Sequence, residues 1–263
     1  MESRLDATSV ESRLDATPVA KLSVKENGVK PPQTKAASSR RTPKTSKGNL
    51  VAFEIVVVGT SVGGLKALQI LLSGLPDSFP VPLVIVQHRG KDSEIGLCDF
   101  LARHSPLPVS EPEDKETIVS GRVYLAPRDY HLLIDAGSFA LSIEPAVAFA
   151  RPSIDVLFES AADYYQDRMI GVVLTGANRD GARGLAAIKL RGGLAMVEDP
   201  AHATCPEMPA AAIAGTEVDH ILSVSELGLL LGDLCKPATP KPPATSPTQE
   251  VVHRKTVVDA GTP

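Results

Sequence analysis

Three short runs, apolar but for a leading Glu54, constrain most strongly what this chain can fold into. Glu54-Ile-Val-Val-Val58, Pro82-Leu-Val-Ile-Val86 and Met169-Ile-Gly-Val-Val-Leu174 show no polar alternation. Each therefore reads as a strand covered on both faces. Turn residues follow each run, and then helical spacing over 65–72, 94–104 and 181–190. A further strand is expected over 194–197, with helices over 153–166 and 225–235. Strands alternating with helices predict an α/β fold: a doubly wound, mainly parallel sheet between two helical layers, a three-layer sandwich. Residues 122–143 interrupt the pattern with short runs, and Asp135-Ala-Gly-Ser138 signals an antiparallel hairpin there.

The charge distribution divides the 263 residues into three parts. Residues 1–49 hold 10 Lys and Arg against 5 Asp and Glu, residues 236–263 hold 4 against 2, and every aromatic lies between Phe53 and Tyr165. Basic ends rich in Pro, Ser, Thr and Lys cannot bury enough apolar surface to offset the entropy of ordering. The expected organisation is a disordered basic arm over 1–49, an acidic catalytic domain over 50–235, and a disordered tail over 236–263. The seven-residue unit Glu2-Ser-Arg-Leu-Asp-Ala-Thr8 recurs once, at 11–17, which is too short for a repeat architecture. The basic stretch 21–47 has no interleaved aromatics and reads as a solvated linker, so no nucleic-acid partner is expected. No apolar run reaches the 18 residues of a membrane span, no secretory leader is legible, and three cysteines are too few for a disulfide framework. The expected compartment is a reducing cytoplasm.

In parallel sheets, reactive groups sit on loops leaving the carboxyl ends of strands. Gly59-Thr-Ser-Val-Gly63 places Ser61 on a turn between a buried strand and a helix. Such a turn lifts a serine hydroxyl above the sheet, and the helix N-terminus offers N–H groups to a developing oxyanion. The dinucleotide motif would need glycine at Ser61, and a P-loop would need Gly-Lys-Ser/Thr after the turn, so phosphate binding is disfavoured. Of six histidines, only His88 ends a buried strand level with Ser61; His131 and His220 read as structural, and His202 as a pocket-lining candidate. Asp180 is the carboxylate on the loop after the third strand. A nucleophile, a base and an orienting acid are thus available in series.

Seven blocks in order carry a resemblance: Val57–Gly64, Val86-Gln-His88, Leu125-Ala-Pro127 with His131-Leu132, Arg151–Asp155, Leu174-Thr-Gly176 with Asp180-Gly-Ala182, Glu198-Asp-Pro200, and Met208–Ile213. Together they resemble the catalytic domain of the chemotaxis protein-glutamate methylesterases, the CheB family. The resemblance implies Ser61 as nucleophile, His88 as base and Asp180 as acid, in the order Ser–His–Asp rather than the Ser–Asp–His of α/β-hydrolases. It places Thr60, Val62, Thr175 and Ala177, with Arg151 and Met208, around the oxyanion and the substrate. It implies hydrolysis of glutamyl γ-methyl esters on a methylated chemoreceptor-like protein, extending to glutamine deamidation, with no cofactor and no metal.

The departures are local. The family loop T-G-M-G-x-D-G is here Thr175-Gly-Ala-Asn-Arg-Asp-Gly181, so Ala177 and Asn178 replace methionine and glycine. Residues 1–49 are too short for the phosphorylatable receiver that commonly precedes this domain, so an active site open in the basal state is expected, with a separate signalling regulator as a candidate partner. The alternative reading is a non-catalytic or altered regulatory binding module on the same fold.

Overall fold

A computed structural model describes residues 53–89 and 96–236. The expected arms, apart from Lys236, and the start of the helix expected over 94–104 lie outside these residues. Nine strands and six α-helices follow in order: β1 (Ile55–Thr60), α1 (Gly64–Ser73), β2 (Leu83–Gln87), α2 (Leu97–Ala102), β3 (Val109–Ser110), β4 (Val123–Leu125), β5 (His131–Asp135), β6 (Ser138–Ser142), α3 (Ile154–Tyr165), β7 (Met169–Val173), α4 (Ala182–Leu190), β8 (Leu194–Glu198), α5 (Glu207–Gly215), β9 (His220–Leu222) and α6 (Val224–Leu234).

Seven strands form one sheet in the order β3-β4-β2-β1-β7-β8-β9, and every pairing in it is parallel. All residues of β1, β2 and β7 are buried, which explains why their sequences show no alternation. Their side chains still divide by parity. Ile55, Val57, Val84 and Val86 pack with α3, α4 and α5 through Phe158, Leu185 and Met208. Val56, Val58, Leu83 and Ile85 pack with α1 and α6 through Leu68, Leu71, Leu227 and Leu231. Two cores separated by one sheet make the predicted three-layer sandwich.

The hairpin is confined to β5 and β6, paired antiparallel from His131 opposite Ser142 to Asp135 opposite Ser138. The run at 123–125, from the same interrupted stretch, joins the main sheet parallel to β2. Three apolar residues fit either role, and only their neighbours decide. The hairpin lies on the α3 layer, where Leu132, Ile134 and Phe139 enter that core. Sequence reading also passed over α5 and β9. The Met-Pro-Ala-Ala-Ala-Ile stretch of α5 is apolar without a helical stripe, and β9 is three residues long.

From β1 the chain moves to β2 on one side and later returns to β7 on the other. Strand order therefore reverses about β1, and the crevice over the carboxyl ends of β2, β1 and β7 is where such folds bind ligands.

Candidate active site

Backbone hydrogen bonds fasten these three strand ends together. Leu174 N–H donates to Gly59 O and Ser61 N–H to Thr175 O, both at 2.9 Å, and His88 N–H donates to Thr60 O at 3.0 Å. Beyond Ser61 the chain turns through Gly63, whose φ of 81° favours a residue without a Cβ. Gly64 is held to glycine by space: a Cβ there would lie 2.1 Å from Gln87 Oε1. Ser61 and His88, brought by β1 and β2, line a cleft of about 660 Å³ with Asn178, Arg89, Asp129 and the 148–152 segment.

Asp180 is fully buried and is the most heavily bonded side chain of the site. His88 Nε2–H donates to its Oδ2 at 2.7 Å, and so does Ile154 N–H at 2.7 Å. Ser153 Oγ and Asp155 N–H donate to its Oδ1, each at 2.9 Å. The carboxylate thus sits on the N-terminus of α3, where free N–H groups and the helix dipole favour negative charge. Asp155 does the same for α4, its Oδ1 accepting from Gly181 N–H at 2.9 Å and Gly184 N–H at 2.8 Å. Two adjacent helices therefore hold one another's capping carboxylate, and Asp180 has no freedom to leave His88. Burial by itself would raise the pKa of Asp180, but the bond from His88, the N–H groups of Asp155 and Ile154 and the His88 charge outweigh it, leaving the group below its ordinary value. Asp155 lies above its ordinary value, chiefly through burial, against the lowering effect of its bond from Gly184.

With Nε2–H directed to Asp180, the other ring nitrogen, Nδ1, carries the lone pair. The Ser61 hydroxyl, expected to hydrogen-bond it, has no hydrogen-bond partner among the described residues. Asn178 Nδ2 stands at that nitrogen instead, 3.3 Å away. The structure thus joins His88 to Asp180 and brings Ser61 to the same cleft without a formed serine–histidine bond.

The outer residues named from sequence divide by place. Val62 is 53% exposed beside Ser61, and neither its N–H nor that of Ala177 is engaged by a described residue. Thr60 and Thr175 are buried beneath the cleft: Thr60 Oγ1 donates to Thr175 O, and Thr175 Oγ1 donates to Val62 O, each at 2.9 Å. Met208 is buried against Gly176, and its N–H donates to Gly176 O. Arg151 lines the cleft, while its Nη1 donates to the carbonyls of Ile143 and Glu144 at 2.9 and 3.0 Å. His131 is structural as expected: Nδ1 accepts from Ser153 N–H and Nε2–H donates to Pro145 O. It ties the α3 N-terminus to the loop that carries Phe149, fully exposed at the cleft rim. Among the described residues, no three His, Cys, Asp or Glu side chains gather as a metal site.

Sequence reading missed the role of Gln87. Its Nε2 donates to both Ser61 O and His88 O at 2.9 Å, bridging the segments that leave β1 and β2. A polar residue ending an otherwise apolar strand was the available signal. Gln87→Leu is expected to lower kcat about 10²-fold by loosening that geometry. Loss of stability should be about 1–3 kcal/mol, since His88 O loses its donor while Ser61 O keeps that of Gly64 N–H. Steady-state rates and urea midpoints check both, and wild-type kcat in a folded variant would remove the bridge from the site.

A family model described as CheB methylesterase matches residues 56–231. The chain belongs to the CheB methylesterase family. A Leptospira interrogans relative, named for protein-glutamate methylesterase and protein-glutamine glutaminase activities, is 48% identical over 179 residues, covering 68% of this chain and 93% of its own. A protein-glutamate methylesterase/protein-glutamine glutaminase of Anaeromyxobacter dehalogenans is 42% identical over 70% of this chain, which spans 54% of that protein. A crystal structure of the CheB methylesterase catalytic domain of Thermotoga maritima superposes with a TM-score of 0.66 at 34% identity, covering 70% of this chain and all of that one. The CheB-type domain thus accounts for nearly the whole described region, and the mainly parallel sheet with its small hairpin is the fold of that catalytic domain. No helix among the described residues is long and apolar enough to cross a membrane.

Proposed function

We propose that this chain is a serine esterase removing methyl groups from glutamyl γ-methyl esters on a chemoreceptor-like protein. The observation that carries the reading is His88, held through Nε2 by an anchored carboxylate at 2.7 Å while the ring borders the same cleft as Ser61. Ser61 Oγ attacks the ester carbonyl as His88 Nδ1 takes its proton. Asp180 fixes the tautomer and stabilises the imidazolium. The negative oxygen of the tetrahedral intermediate is received by the unengaged N–H groups of Val62 and Ala177 at the dipole-positive start of α1. The imidazolium returns the proton to departing methanol, and water, activated by the same nitrogen, then hydrolyses the acyl-serine to glutamate. The same steps on a glutamine side chain release ammonia, the second activity named for the relatives. No step calls for a metal or an organic cofactor.

Three unpaired cysteines fit a reducing cytoplasm. A separate signalling regulator is proposed as a partner, because the match leaves about half of the Anaeromyxobacter dehalogenans relative uncovered. Incubating the chain with γ-methyl-esterified receptor fragments and quantifying methanol by mass spectrometry tests the reading. One methanol released per new glutamate is expected. A folded protein that releases none from several methylated fragments would overturn it.

A further inference from the structure

Asn178 stands two residues before Asp180 on the turn between β7 and α4. Its carboxamide is oriented by two contacts. Oδ1 accepts from Asp180 N–H at 3.1 Å, and only the oxygen can do so. The NH₂ group must therefore face the imidazole, 3.3 Å from Nδ1. The ring's own orientation is equally fixed, because the ionised Asp180 carboxylate can only accept, which leaves the hydrogen on Nε2 and the lone pair on Nδ1. Asn178 thus donates to the lone pair that the Ser61 proton has to reach.

We infer that Asn178 is a positioning residue that restrains the base, occupying His88 Nδ1 in competition with the Ser61 hydroxyl. The inference rests on the esterase reading and concerns its rate. At 3.3 Å the bond is at the long end of the range, so it holds the base back without blocking it. Each turnover must swing the carboxamide off Nδ1 before proton transfer. A glycine there would leave Nδ1 to the serine.

The test uses Asn178→Ala, Asn178→Gly and Asn178→Asp in the full chain. The first two remove the donor; the third retains the oxygen that accepts from Asp180 N–H but sets an anion against Nδ1. Methanol release should rise about two- to tenfold in kcat for the Ala and Gly variants, the range set by one neutral hydrogen bond, with KM little changed. Asn178→Asp should be slower than wild type, because the anion draws a proton onto the nitrogen that must act as base. Imidazole ¹⁵N spectra supply a readout that a merely structural turn residue would not move. In a Ser61→Ala background, the Nδ1 resonance of His88 should shift when Ala replaces Asn178, while the Nε2 resonance stays with Asp180. A fall in kcat for folded Asn178→Ala overturns the inference, and so does an unmoved Nδ1 resonance. The spectra need no turnover, so failure of the esterase reading and failure of this inference are distinguishable.

Discussion

Ser61→Ala is expected to lower methyl-ester hydrolysis on the order of 10⁴–10⁶-fold, the loss that follows removal of a nucleophile working with its base. Folding should hardly change. The Ser61 hydroxyl has no partner among the described residues, and the turn is secured by the backbone: Ser61 N–H on Thr175 O and Gly64 N–H on Ser61 O. Rate and thermal midpoint measured on one preparation separate the two effects. Hydrolysis within tenfold of wild type would place the nucleophile elsewhere.

Asp180→Asn should damage both activity and stability. Each carboxylate oxygen accepts two donors, His88 and Ile154 on Oδ2, Ser153 and Asp155 on Oδ1. Either orientation of an asparagine amide then turns an NH₂ group against two donors. The expected cost is about 2–4 kcal/mol, since charged acceptors are worth more than neutral ones and unsatisfied buried groups carry their full desolvation penalty. The rate should fall about 10⁴-fold, because the wrong tautomer of His88 is then favoured. The sign of the pH dependence follows from the lowered pKa of Asp180. Its contribution is fully present above the unfolded carboxylate value of about 3.9 and is lost as pH falls through the lower folded value. The stability gap between wild type and Asp180→Asn should therefore narrow below pH ~4. Asp155 and Glu198 act in the opposite sense, their values raised chiefly by burial; their contributions are lost as pH rises through the raised values. Urea midpoints at pH 7 and pH 3 check this, and an undiminished gap at pH 3 would remove Asp180 as the source.

The fold was legible because burial on two faces leaves a plain mark. Runs such as Ile55–Val58 have nowhere polar to point, and their separation by turns and helical spacing admits few topologies. The ambiguous pieces were those too short or too uniform for a period: Val123–Leu125, His220–Leu222 and the alanine-rich α5. Their pairing and packing come from residues distant in sequence.

The sequence by itself determined that Ser61, His88 and Asp180 would lie at one edge of the sheet, since each lies at or beyond the carboxyl end of a buried strand and a parallel sheet gathers those ends. Only the tertiary structure decided how they meet. Asp180 is pinned because α3 begins beneath it, a juxtaposition of residues 27 positions apart that no local pattern encodes. Which nitrogen of His88 keeps its lone pair follows from that pinning, and the approach of Asn178 to that same nitrogen follows from the turn between β7 and α4. Strand identity is set by the chain's own apolar surface, whereas a hydrogen-bonded site a few ångströms across is set by the packing of separate elements.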